Sequence, residues 1–260
     1  MKRIILLIAL FAVAPWHMAA QDTVKSHTIT IGNSELGTFH ENLFPKKAPS
    51  RWSVGLQLGM ADNHYDIDVQ YADKVLFKGA KGFTIGLQGR SHLTGWLAAR
   101  ADLMLVQKNY IRSHTAKPSG NTVVQVRNAI RNNYISLPLM AEVSIGNRLR
   151  FYLDGGGYVG FWLSSHCEGE SLSMDFLLYD ENEGARFDEY YTFDKRRDNR
   201  FDAGWVYGAG VAGTLAGKIT LNAEWRQYYA ITDTQKQYML FQMPRYHTTN
   251  VLQVGAAYHF

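Results

Sequence analysis

One cysteine, Cys167, stands in 260 residues, so no disulfide can form within the chain and no thiolate pair is available for a zinc site. Long apolar runs are equally scarce. Beyond residue 20 no stretch approaches the roughly 18–20 apolar residues a membrane-crossing helix needs, and a mean hydropathy of −0.22 leaves no room for a bundle of such helices. Neither sign of charge dominates: 27 basic residues face 23 acidic ones, a formal net charge of +4, which gives no reason to invoke nucleic acid. The G-x-S-x-G signature of a serine nucleophile does not occur. With 23 glycines and 6 prolines, the composition is neither disordered nor collagen-like. The length suits one large domain or two small ones.

What is present begins with an export pattern. Lys2 and Arg3 open the chain, Ile4 to Val13 form a ten-residue apolar stretch, and Met18-Ala19-Ala20 precedes Gln21. This predicts a secretory signal over 1–20 with cleavage after Ala20. Ten apolar residues are too few to span a bilayer, and no cysteine follows them to carry a lipid anchor. Residues 21–50 lack a clear pattern and read as a periplasmic lead-in, with a short strand possible at 27–31.

From residue 51 onward the chain alternates with period two, which predicts strands near 51–61, 82–90, 96–107, 134–143, 150–163, 202–213, 218–229 and 250–260. Each has one aliphatic or aromatic face. Trp52, Val54, Leu56, Leu58 and Met60 alternate with Ser53, Gly55, Gln57 and Gly59; Ile219, Leu221, Ala223 and Trp225 alternate with Thr220, Asn222, Glu224 and Arg226. No apolar face of the eight carries a charge.

The opposite faces decide what kind of barrel this is. They carry Gln57, Gln88, Arg90, Arg100, Asp102, Glu142, Asp154, Asp202, Glu224, Arg226 and many glycines. A soluble barrel with its apolar face inside would leave such residues in water, but strands this charged on one side fit a polar lumen, with the aliphatic face turned to lipid. A sheet in lipid must close, because an unpaired edge has no water to bond. The connections alternate long (62–81), short (91–95), long (108–133), short (144–149), long (164–201), short (214–217) and long (230–249), the pattern of long external loops and short periplasmic turns. The expectation is an all-β, eight-stranded antiparallel transmembrane β-barrel, an up-and-down meander over 51–260 with both ends on the short-turn side.

The last strand ends at Phe260, with Tyr258, Ala256, Val254 and Leu252 at alternate positions before it. Tyr258 and Phe260 thus resemble the terminal signature of outer-membrane barrels that the barrel-assembly machinery reads. The segment Tyr134-Ile135-Ser136-Leu137-Pro138-Leu139, the glycine-rich Tyr152 to Gly160, and Asp198-Asn199-Arg200-Phe201-Asp202-Ala203-Gly204 are similar to patterns of the PorT-like family of small outer-membrane barrels from Gram-negative bacteria. That resemblance covers roughly 51–260. It implies that architecture; the family's namesake is associated with a secretion system, while most members have no assigned activity.

Candidate chemistry is sparse. Arg90, Arg100, Asp102, Glu142, Asp154, Asp202, Glu224 and Arg226, with His259 nearby, face one narrow lumen, where isolated charges are costly and must pair. The expectation is an Arg–carboxylate network that plugs the lumen, centred on Arg100 and Arg226. A gated ion path or an active site is the alternative. Gly208 to Gly213 matches G-x-G-x-x-G, but no helix follows to hold a pyrophosphate; strand glycines facing a crowded lumen explain it better. Cys167 has only His166 beside it, in a loop, and the pair reads as incidental. Asp62, His64, Asp66 and Asp68 lack the calcium-loop glycine (Ile67 stands there) and read as a solvated acidic loop. The third long connection mixes acids with Phe176, Tyr179, Phe187, Tyr190, Tyr191 and Phe193, and reads either as a recognition surface or as strands extended above the membrane. The second, with its turn Pro118-Ser119-Gly120-Asn121, predicts a protruding hairpin.

These features point to a non-enzymatic outer-membrane protein without cofactor or metal. Its expected partners are outer-membrane lipid, the assembly machinery and a protein or glycan at the loops. A narrow channel or a secretion accessory are the alternatives.

Overall fold

A computed structural model describes residues 50–67, 75–119, 122–147, 149–175, 180–215, 218–236 and 245–260. The expected export signal, its cleavage point at Ala20 and the lead-in to residue 49 lie outside the described residues. Ten strands follow one another: β1 (Trp52–Ile67), β2 (Val75–His92), β3 (Leu97–Gln107), β4 (Asn109–Ser119), β5 (Thr122–Ile145), β6 (Leu149–Asp175), β7 (Asp180–Tyr190), β8 (Phe201–Thr214), β9 (Ile219–Ala230) and β10 (Arg245–His259).

Side-chain alternation dictates the two faces, since successive residues of a strand point to opposite sides. On β6, Leu153 is 66% exposed while Tyr152 and Asp154 on either side of it are 3% and 6% exposed. The same inversion runs through Val54, Leu56, Leu58 and Met60 against Ser53 and Gln57, and through Ile219, Leu221 and Trp225 against Thr220, Asn222, Glu224 and Arg226. The exposed face is aliphatic and aromatic, and the buried face is polar. In water this arrangement would be unfavourable throughout, because burial of apolar surface drives folding. In a bilayer the acyl chains cover the apolar face instead.

All pairings are antiparallel. The ladder runs β3-β5-β4-β2-β1-β10-β9-β8-β6-β7, and β2 also pairs with β3 and β5 with β6. The β1–β10 register is continuous from Ser53↔His259 to Ile67↔Arg245. Between β5 and β6 it runs from Thr122↔Asp175 to Ile145↔Phe151, with one shift at Asn133/Tyr134. The short connections are tight. At the β5–β6 turn Gly146 adopts φ +97°, in the left-handed region, and a Cβ there would sit 2.2 Å from the Leu149 carbonyl oxygen, so only glycine fits without strain.

Ten strands stand where the alternation predicts eight. The two additions, β4 and β7, come from segments read as connections. Beyond the apolar belt the ladders simply continue: β1 reaches Ile67, so Asp62, His64 and Asp66 lie on a strand and not in a loop, and β2 starts at Val75. The hairpin expected within 108–133 is β4 paired with the first half of β5. Within 164–201 the chain forms the outer half of β6 and all of β7. Strand pairing outside the belt needs only backbone hydrogen bonds, which leave no apolar signature. The G-x-G-x-x-G stretch lies on β8, with no helix at its glycines.

Candidate functional site

The buried face is organised around two guanidiniums. Arg100 on β3 is 2% exposed and Arg226 on β9 is 0% exposed. Arg100 Nε donates to Asp102 Oδ2 at 3.0 Å; its Nη1 donates to Asp154 Oδ2 at 2.9 Å and to Glu224 Oε2 at 2.8 Å. Arg226 Nε donates to Glu224 Oε1 at 2.8 Å, Nη2 to Asp102 Oδ2 at 2.9 Å and Nη1 to the Tyr228 hydroxyl at 3.0 Å. Asp102 and Glu224 each bridge both arginines. The i, i+2 spacing of Arg100 with Asp102, and of Glu224 with Arg226, places each pair on one face of its own strand. The two pairs meet although β3 and β9 are not neighbours in the ladder. Tyr152 donates to Glu224 Oε2 at 3.1 Å, and Gln57 donates to Asp102 Oδ2 at 3.3 Å.

Arg90 and Glu142 form the flank of this cluster. Arg90 Nε lies 3.0 Å from Glu142 Oε2, which is also 3.7 Å from Arg100 Nη1. Arg90 further stacks on the Tyr152 ring, 5.1 Å from its centroid. The structure thus brings seven of the eight predicted lumen charges together, from β2, β3, β5, β6 and β9. His259, predicted near them, instead bonds with Thr220 Oγ1 at 2.7 Å and Ser50 Oγ at 3.1 Å. Asp202 stands apart from the seven in a second cluster. Tyr258 and Phe260 point outward, edge to face at 5.3 Å.

That second cluster contains residues the sequence pattern does not flag. Lys108 Nζ lies 2.5 Å from Asp202 Oδ2 and 2.6 Å from His247 Nε2. Tyr158 and Thr232 donate to Asp202 Oδ1 at 3.3 and 3.2 Å. The Lys108 ammonium faces the rings of Tyr134 and Tyr158, at 4.9 and 5.1 Å, a favourable cation–π placement. Lys108 occupies the one residue between β3 and β4, where the pattern predicts a loop. A lone lysine after an alternating strand is the signal that was available; its partner His247 lies 139 positions away.

Outside the belt, an aromatic ladder continues from this cluster. Tyr134 stacks on Trp162 at 5.8 Å, and Trp162 on Tyr191 at 6.1 Å. Asp198 ties the segment between β7 and β8 together: it accepts from the Tyr191 hydroxyl at 3.0 Å through both oxygens and from the Asp194 N–H at 2.8 Å. Burial, and then these bonds to Asp198, push the Tyr191 hydroxyl up to about 12, against the opposing pull of Arg197.

These arrangements hold charge and order backbone. Both guanidiniums of the central cluster direct donors at carboxylates of the protein itself, and Arg226 directs one more at the Tyr228 hydroxyl.

A model of the outer membrane protein beta-barrel domain matches residues 37–236. No curated protein matches the chain. Among solved structures, OprG from Pseudomonas aeruginosa is similar at 10% identity, covering 83% of this chain and all of that one, with a TM-score of 0.43. Neisserial surface protein A follows at 13% identity, 81% and 98% coverage and a TM-score of 0.38. The attachment invasion locus protein Ail of Yersinia pestis stands at 15% identity, 80% and 98% coverage and a TM-score of 0.34. At such identities and scores these likenesses carry nothing about activity.

Proposed function

The chain belongs to the outer membrane protein beta-barrel domain family, and from that premise we propose that residues 51–260 form one closed barrel of eight staves with a plugged interior. In this reading it is a non-enzymatic scaffold that holds its long strand extensions outside the cell, for recognition of a protein or glycan. β3 and β4 act as a single stave interrupted at Lys108, and β7 and β8 as another interrupted over 191–200. The β5–β6 pairing joins the two halves of the ladder, and the side-chain bonds from β3 to β9 cross the interior; both support closure.

The carrying observation is the Arg100–Arg226 centre. An eight-stranded barrel is only wide enough for its inward side chains to fill, and here two buried guanidiniums bonded to carboxylates from three strands occupy that width. The Lys108–Asp202–His247 cluster adds a second layer toward the extensions. Planar-bilayer recording on the purified, folded protein tests the reading. The expected result is a flat trace; reproducible discrete openings would overturn it.

A second reading, a narrow hydrated channel, draws on the buried polar atoms without a hydrogen-bond partner, among them both side-chain amide atoms of Gln253 and the hydroxyls of Ser53, Thr84 and Ser136. Groups of this kind are normally satisfied by ordered water, and a continuous water file would conduct. The same recordings separate the two. The narrower PorT-like resemblance extends to a role beside a secretion apparatus, which deletion of the gene and assay of secreted cargo would test.

A further inference from the structure

The outer half of the β6–β7 ladder carries a side-chain cluster with no part in the plug. The register pairs Glu168 with Asp188 and His166 with Tyr190. Residues two apart on a strand share a face, so His166, Glu168 and Asp188 project to the same side. One ligand atom from each of the three lies within 4.8 Å of the others. His166 Nε2 bonds to Asp188 Oδ1, and Nδ1 is 3.7 Å from Glu168 Oε1, so the imidazole stands between two carboxylates.

Three features distinguish this group from a surface ion pair. Glu168 and Asp188 are directly opposed across an antiparallel pair, where like charges destabilise the ladder. The compensation is one-sided: Arg131 donates to Glu168 Oε2 at 2.9 Å, leaving Oε1 turned to the imidazole, whereas Asp188 has the His166 imidazole and no arginine or lysine beside it among the described residues. The imidazole itself is held, because Tyr190 stacks on it with centroids 4.7 Å apart. A fixed imidazole and two carboxylates, one of them oriented by Arg131, stand on one ladder with their ligand atoms converging, a donor set suited to a cation.

We propose that His166, Glu168 and Asp188 bind a divalent transition-metal ion, with Zn²⁺ as the best fit, and that the ion clamps β6 to β7. One nitrogen and two carboxylate oxygens suit zinc, and the imidazole disfavours calcium and magnesium, which take oxygen ligands. Ligand bonds of roughly 2.0–2.2 Å in a tetrahedron bring ligand atoms to about 3.4 Å from one another, which side-chain rotations can reach from the observed separations. The side chains of Glu168 and Asp188 are 39% and 73% exposed, so an ion can enter and water can complete its shell. Cys167 points to the opposite face of β6, in register with Glu189, and is not a ligand.

The test is calorimetric titration of Zn²⁺ into the untagged, folded protein in detergent micelles after chelator treatment. One Zn²⁺ per chain is expected. H166A should weaken it at least tenfold and D188N measurably, while C167S should leave it unchanged and excess Ca²⁺ should not compete. Substitution with Co²⁺ should give the intense visible bands of a low-coordinate nitrogen–oxygen site, and these should disappear in H166Q. Absence of binding to the wild-type protein, or equal binding by H166A, overturns the proposal. Loss of binding in C167S reassigns the site to the thiol and overturns it as well. None of these outcomes depends on whether the interior conducts.

Discussion

Arg226 has no exposed surface, and each of its three nitrogens is bonded to Glu224, Asp102 or Tyr228. Removing it strands two carboxylates that Arg100 alone would have to neutralise, and breaking one side of a buried ion pair costs on the order of 3–5 kcal/mol. Arg226→Ala is therefore expected to lower the denaturant midpoint of the folded protein in vesicles markedly; an unchanged midpoint would contradict the network. The faces of Arg100 and Arg226 were legible in the sequence because each lies inside an alternating segment, where the neighbours' apolarity fixes which way a residue points. Lys108 and His247 were not legible. Their placement depends on a ladder interruption and on a contact across 139 positions, neither of which leaves a periodic trace.

At the scale of elements, the segment between β7 and β8 responds to alkaline pH through Tyr191. Its Asp198 takes hydrogen bonds from Tyr191 and the Asp194 N–H, and Tyr191 also accepts from Arg197. With the Tyr191 hydroxyl raised from its ordinary range near 10 to about 12, its contribution to order is complete below about pH 10 and is lost as pH rises through about 12. A tyrosinate there would face the Asp198 carboxylate. Absorbance titration of the folded protein should show Tyr191 among the tyrosines that ionise late, and Tyr191→Phe should diminish that late component by one tyrosine. A late component of unchanged size in the variant would overturn the assignment. The sequence showed this stretch as aromatic and charged, but not which residues meet. Outside the apolar belt nothing in the hydrophobic pattern specifies register, and for the same reason His166, Glu168 and Asp188 could not be grouped beforehand.

For the molecule as a whole, the inversion of faces is the property on which its outer-membrane location rests. Three of the six tryptophans, Trp52, Trp205 and Trp225, stand on the exposed apolar face. In vesicles of lipid with brominated acyl chains their fluorescence should be strongly quenched relative to ordinary lipid. Equal emission in both would mean that this face does not meet acyl chains. The architecture was the most legible level, since charge-free alternation in eight segments leaves few ways to satisfy both faces. The strand number was the least legible part of it, because β4 and β7 obey backbone pairing without apolar periodicity.

The lengths of β5 and β6 have a geometric consequence. Among the described side chains the exposed apolar residues of β6 end at Leu163, yet the strand continues to Asp175, and β5 runs beside it from Thr122. At ~3.3 Å per residue and a tilt near 40°, this dozen residues rises roughly 30 Å above the lipid. β4 and β7 flank the same two strands, so four adjacent strands carry the sheet outward there as one continuous paired ladder, and whatever docks on it is held at a height set by the strands beneath.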